Sequence, residues 1–237
     1  AHSPELEDPE VLDALSALMS GYSPVSIEHV FDEALIWALR RGAERMDLID
    51  VHRARLTEEL GLTQNVDYEE DERLRIATHE AGHATMAWLV SQPDPETGET
   101  IGIMRRLEVL SIIKRRDSLG LLAHADDGER FTRTERELRG LLQISLGGLV
   151  AEELWFDQIS TGPAGDLVYA TGLAGKMIGT MGMGSSLVSF AAAAEEGKSP
   201  LLAALSDDRT RQQIEELLED AKARAKAQLQ ANAHIVE

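Results

Sequence analysis

The residues with the clearest chemical potential lie together in Thr78-His79-Glu80-Ala81-Gly82-His83, a His-Glu-x-x-His pattern. Ala77, Ala81, Ala84 and Trp88 recur at helical spacing around it, which predicts a helix here. Residues four apart lie one above the other on a helix face, so both imidazoles can point at one metal ion. Zinc suits two neutral imidazoles, one oxygen ligand and an open position. Glu80 stands beside them, where a metal-bound water would sit. Zinc lowers the pKa of such a water to about 7, and a nearby carboxylate can take its proton.

Two histidines hold zinc weakly, so a third protein ligand is required. The extension His-x-x-Gly-x-x-His fails, because Met86 and Leu89 occupy the matching positions. Glu96 and Glu99 fall in a loop with Pro93, Pro95 and Gly98, a poor rigid platform. His2, His29, His52 and His234 lie far off in sequence or near the ends, and His124 ends an expected strand. Glu152, Glu153 and Asp166 sit on expected helices that can pack over the motif. Spacing alone does not choose among them.

Composition limits the partners. The chain has 237 residues, is 43% hydrophobic, and carries a formal net charge of −19. That charge repels nucleic acid and anionic membrane surfaces. The chain contains no cysteine, which excludes a disulfide frame, a thiol nucleophile and a Cys-ligated zinc site. No apolar run approaches the roughly 20 residues of a spanning helix, and no basic, then apolar, leader opens the sequence. A soluble chain is expected.

The elements around the motif read as mainly helical. Residues 9–60 suggest three helices. Pro9 follows Asp8 at the first start, Ser26 opens the second after a break at Gly21 and Pro24, and Asp47 opens the third. Ile27, Val30, Phe31, Ala34, Leu35 and Ala38 form the buried side of the second; Ile49, Val51 and Leu56 are expected inside in the third. Gly61–Glu70 reads as a linker to the histidine helix. Gly82 within that helix signals either close packing or room for substrate. Leu107–Lys114 and Ser118–Ala123 read as two strands joined at Arg115-Arg116-Asp117, a hairpin with an edge that can take an extended peptide. Thr134-Glu135-Arg136-Glu137 is a capping box opening a long apolar helix to about Trp155. Gly147 and Gly148 inside it imply close approach of another helix. Pro163 suits the first position of a new helix and places Asp166 in its first turn, where the helix dipole favours a carboxylate. Gly179–Ala194 reads as a loop. Ser206 is expected to cap a last helix with Ile214, Leu217, Leu218, Ala221 and Ala225 as its stripe.

Four stretches, in order and spacing, resemble the protease part of FtsH-type AAA+ zinc metalloproteases. They are THEAGHA (78–84), IIKRRDSLGLL (112–122), GGLVAEELWF (147–156) and STGPAGDLVYAT (160–171). The resemblance implies a mainly α zinc-protease domain with a small β-hairpin over residues 67–237. It implies a helical lid remnant over 1–66, where DEALIWALRR (32–41) matches the end of an AAA+ lid. It implies one zinc ion per chain held by His79, His83 and Asp166, with Glu80 as catalytic base and Glu152 as a supporting group near the site. The implied reaction is endoproteolysis of unfolded or damaged polypeptide by a homo-hexameric ring that is cytoplasmic or faces the cytoplasm, with an organelle matrix or stroma as the alternative and any membrane anchor in segments outside this chain. No Gly-x-x-x-x-Gly-Lys-Ser/Thr stretch occurs, so ATP would act only through a domain outside this chain. With the sequence running in helix to Glu237, a fragment of a longer protein is expected. Three segments depart from the family pattern. Ser23-Pro24-Val25-Ser26 replaces the usual Ser-Gly-Ala-Asp near nucleotide, Lys114-Arg115-Arg116 replaces Pro-Arg-Gly, and Gly147-Gly148-Leu149 replaces Gly-Gly-Arg. The first sustains an alternative, an FtsH-like homologue uncoupled from ATP or inactive and serving as a ring scaffold or quality-control partner.

Overall fold

The computed structural model describes residues 2–19, 21–93, 98, 105–114, 121–126, 132–192 and 199–236. It divides into two compact units, Ala1–Val66 with Ile113–Ser118, and Asp67–Ile112 with Leu119–Glu237.

In the first unit a 3-10 turn, Pro4–Glu7, precedes α1 (Pro9–Leu18), α2 (Pro24–Arg40) and α3 (Leu48–Leu60). Leu6, Leu15, Met19, Val30, Ala34, Val51 and Ala54 close its core. Two expectations are corrected here. Pro24 does not break the helix but occupies its first turn, where no N–H is needed, and Ser23 rather than Ser26 caps it by accepting from the Ser26 amide. Ile49 is 60% exposed and Leu35 lies at the exposed edge of its helix, because a single layer of neighbours covers only one face of each. Asp47 does open α3, in a reciprocal capping box with Asp50. The Arg41 guanidinium grips both Asp50 oxygens, at 2.9 and 2.7 Å.

The second unit is built on two crossed helices, α4 (Glu70–Leu89) and α5 (Glu135–Phe156). Between them in sequence lie β1 (Arg105–Ser111) and β2 (Leu121–Asp126), an antiparallel pair with an irregularity between Leu107 and Val109. β1 lies two to three residues before the boundaries expected of it and β2 three residues after, and the Arg115-Arg116-Asp117 connection lies outside the described residues. Then follow α6 (Ala164–Gly179), α7 (Pro200–Ser206), α8 (Asp208–Ala231) and α9 (Ala233–Val236). Among the described residues the architecture is mainly α with one small antiparallel strand pair.

α5 is the hub of this unit and packs against α4, α6 and α8. Its capping box is formed as the sequence predicts, with Thr134 and Glu137 bonded reciprocally. Nearly every residue from Glu137 to Glu152 is buried, which is why its apolar residues run around the helix rather than along one stripe. α4 meets α5 at bare backbone. A Cβ on Gly82 would lie 2.5 Å from the Gly147 carbonyl oxygen, and one on Gly147 would lie 2.8 Å from that of Gly82. Close helix packing is therefore what Gly82 provides. The stripe expected on α4 is corrected by this crossing. Trp88 is exposed, and Ile76, His79, His83, Met86, Ala87 and Val90 face inward instead. The helix thus spends its inner face on its polar pair.

α8 closes the core with Ile214, Leu217, Ala221, Ala225 and Leu229. Its cap is Asp207, which accepts from the Thr210 amide; Ser206 instead ends α7. α8 stops at Ala231, with Asn232 as its C-cap, before the short α9. Among the described residues no helix is long and apolar enough to cross a membrane.

Candidate metal centre

His79 and His83 leave the inner face of α4 one turn apart, and both are 7% exposed. Their ring centroids are 4.7 Å apart with nearly perpendicular planes, so the rings converge rather than stack. The two Nε2 atoms are 3.0 Å apart. The Asp166 carboxylate, in the first turn of α6, brings Oδ2 to 3.1 Å from the His79 Nε2 and 3.3 Å from the His83 Nε2. Among the described residues these three form the cluster with donors close enough for one ion.

α5 fixes the rings from behind. The His79 Nδ1 lies 2.8 Å from Glu152 Oε1 and the His83 Nδ1 lies 2.7 Å from the Ile144 carbonyl. A carboxylate and a carbonyl only accept, so each Nδ1 carries the proton and donates. Each neutral ring then presents its Nε2 lone pair to the centre. Three acceptors facing one another with no donor among them need a cation or shared protons. That donor set, two neutral imidazoles and one carboxylate, fits zinc, and the two Nδ1–H bonds are the usual support of metal-binding histidines.

The electrostatics carry the same signature. Burial pushes the Asp166 carboxyl up, but hydrogen bonds from His79 and His83 outweigh it and bring its pKa down to about 2. Burial pushes His83 down, and it is outweighed by the hydrogen bond and charge of Asp166, with help from the Ile144 carbonyl and Glu80, so that His83 ends above its ordinary value. Asp166 thus favours a proton on the His83 ring where the cluster has no metal.

Glu80 is 8% exposed on the same helix turn as His79. Glu152 is 1% exposed and also accepts from the Ser160 amide at 2.6 Å and from the Ser160 hydroxyl at 3.1 Å. It is thus a buried anchor that orients His79 and ties down the chain entering α6. α6 begins at Ala164 with Pro163 at its N-cap, one residue later than the sequence suggests, and Asp166 still falls in the first turn. The other candidates lie elsewhere. Glu153 pairs with Lys222 and Lys226, His2 with Glu7 and His29 with Glu58. Glu96, Glu99 and the side chain of His124 lie outside the described residues.

Sequence reasoning missed three supports on α5. They are the Ile144 carbonyl, the Ser145 hydroxyl, which donates to the Asp166 carbonyl at 3.0 Å, and the backbone at Gly148, which lies against both rings. With Glu152 they occupy positions 144, 145, 148 and 152, one face of a helix. That spacing was readable; what it faced was not.

The profile of Peptidase family M41 matches residues 66–237. An ATP-dependent zinc metalloprotease FtsH 3 of Conexibacter woesei is 31% identical over 202 residues, covering 85% of this chain and 26% of the relative. An ATP-dependent zinc metalloprotease FtsH of Thermobaculum terrenum is 30% identical over 228 residues, covering 90% of this chain and 34% of the relative. One of the same name from Pirellula staleyi is 34% identical over 180 residues, covering 74% and 24%. The chain thus spans between a quarter and about a third of the length of these curated relatives.

Proposed function

The chain belongs to peptidase family M41 and is on that ground a hydrolase of the metalloprotease kind; from this premise we propose that it is a zinc endopeptidase acting on unfolded or damaged polypeptide. The observation that carries the reading is the convergence of His79, His83 and Asp166 on one point, with Glu80 near enough to His83 to help raise its pKa. His79, His83 and Asp166 would hold one zinc ion per chain. Bound there, zinc supplies a Lewis acid for the scissile carbonyl and lowers the pKa of water.

The remaining steps belong to the chain's own residues. Glu80 takes the proton from the attacking water and delivers it to the leaving amine as the C–N bond breaks. Its burial keeps bulk water from competing for that proton. Glu152 and the Ile144 carbonyl keep each Nδ1 protonated and each Nε2 directed at the centre. Ser145 holds the backbone of Asp166, so the carboxylate arrives from a fixed helix end.

The relatives named above are ATP-dependent by name. By analogy, residues 1–66 are the remnant of an AAA+ lid, and an ATPase outside this chain feeds substrate to a six-fold ring on the cytoplasmic side. The competing reading, a homologue uncoupled from ATP, rests on Ser23-Pro24, which here serve as an ordinary helix cap and first turn.

The test is proteolysis of unfolded casein by the zinc-loaded chain. Glu80→Gln should keep zinc and lower the rate by about 10²–10⁴-fold. Cleavage by this variant at the parent rate would remove Glu80 from its role as general base.

A further inference from the structure

α5 carries two adjacent glycines, each less favourable in a helix interior than alanine. Gly147 is accounted for by its contact with the Gly82 backbone. Gly148 faces something else. A Cβ built on it would lie 2.5 Å from both Cε1 and Nε2 of His79 and 2.6 Å from Nε2 of His83. Carbon needs about 3.5–4.0 Å from such atoms, so the rings would have to retreat by about 1 Å.

The rings have no slack for that retreat. One turn before Gly148, the Ile144 carbonyl holds His83 through Nδ1 at 2.7 Å; one turn after it, Glu152 holds His79 through Nδ1 at 2.8 Å. The Gly148 amide also approaches the His83 Nδ1, but at 3.4 Å it does not displace the shorter bond to Ile144. Each ring is tethered at its back edge to α5 and lies with its front edge against α5 at Gly148, a position that has no side chain. A methyl there drives both Nε2 atoms away from Asp166 or breaks the Nδ1 tethers. Metal sites tolerate ligand displacements of only about 0.2 Å.

We propose that Gly148 is a positioning residue for the metal centre: its bare backbone is the seat against which the His79 and His83 rings are held in the arrangement that takes zinc. This rests on the zinc reading of the site given above. It assigns Gly148 no contact with substrate.

The experiment compares the parent, Gly148→Ala and Gly172→Ala. Gly172 is also on a helix, and a Cβ there meets nothing within 4 Å. Zinc affinity is read by competition with a chromophoric chelator, site geometry by the visible absorption of the cobalt(II) form, and fold by thermal unfolding of the metal-free chain. Gly148→Ala should bind zinc about 100-fold more weakly or worse, with an altered cobalt spectrum and a metal-free unfolding midpoint near the parent's. Gly172→Ala should match the parent in affinity and spectrum. Parent-like zinc affinity and spectrum in Gly148→Ala would overturn the proposal. A parent that binds no zinc would sink the metal reading itself, and this inference with it. If Gly148→Ala fails to fold, it is placed in a His79→Ala, His83→Ala background, which removes the rings the methyl meets. Recovery to the stability of that background supports the ring contact; failure to recover overturns it.

Discussion

At the residue scale the site is a set of acceptors held face to face. Asp166, pushed up by burial, is drawn down to about 2 by hydrogen bonds from His79 and His83, and His83, pushed down by burial, is raised above its ordinary value of 6.5 by Asp166. The consequence for the metal-free chain has a sign on each side. Asp166 contributes stability above its unfolded value near 3.8, and this is lost as pH falls through that value toward about 2. His83 contributes stability that is complete below 6.5 and is lost as pH rises through its raised value. The metal-free parent should therefore exceed an Asp166→Asn variant in stability most clearly between these two limits, and the advantage should shrink on both sides. Urea unfolding of the two chains across pH reads it. A constant difference at all pH values would mean that Asp166 and the rings do not share a proton. Zinc should also bind more weakly as pH falls through the raised His83 value, since the metal must displace that proton.

At the scale of elements, α5 is the frame on which His79 and His83 of α4 and Asp166 of α6 are held, although it supplies none of the three itself. Thr134→Ala removes one half of its capping box and should cost about 1 kcal/mol, or about 2–4 °C in the unfolding midpoint. Zinc affinity should stay within error of the parent, because the cap lies more than two turns from Ile144. A large loss of zinc affinity would show that fraying of α5 reaches the site. Much of this layer was legible in the sequence. The His-Glu-x-x-His helix, the capping box of Thr134 and the first-turn place of Asp166 are local patterns, set by helix period and cap chemistry. Three things were not legible. Trp88 lies outside because α4 is oriented by its contact with Gly147, and a partner helix cannot be read from one stripe. Ser23 and Asp207 took caps expected at Ser26 and Ser206, since a proline or a break beside a cap leaves several registers open until packing chooses one. Which of Asp166, Glu152 and Glu153 clusters with the two histidines depended on where α6 and α8 dock. Only then does Glu153 meet Lys222, leaving Glu152 to reach behind His79.

At the scale of the whole molecule, the chain carries a formal net charge of −19, and among the described residues no helix is long and apolar enough to cross a membrane. The six-fold ring proposed above needs apolar surface for subunit contact. The chain exposes Val168 at 75%, Tyr169 at 53%, Leu187 at 95% and Val188 at 67%, residues that such a contact can cover. Sedimentation velocity at micromolar concentration should show a species near six chains. Replacing Val168 and Leu187 by Asp should shift it toward single chains without changing zinc affinity. A parent that sediments as a monomer at all concentrations would contradict the ring for this chain.

The claim on which the rest depends is that His79, His83 and Asp166 hold the zinc while Glu152 stands behind them. Zinc titration of the purified chain tests it most directly, alongside Asp166→Asn and Glu152→Gln. The parent should take up about one ion per chain. Asp166→Asn, which keeps size and loses charge, should lose most of its affinity with the fold intact. Glu152→Gln should lose about 10–100-fold, the cost of disturbing a group that orients a ligand. A parent that binds no zinc, or an Asp166→Asn variant that binds it as the parent does while Glu152→Gln does not, would contradict the assignment.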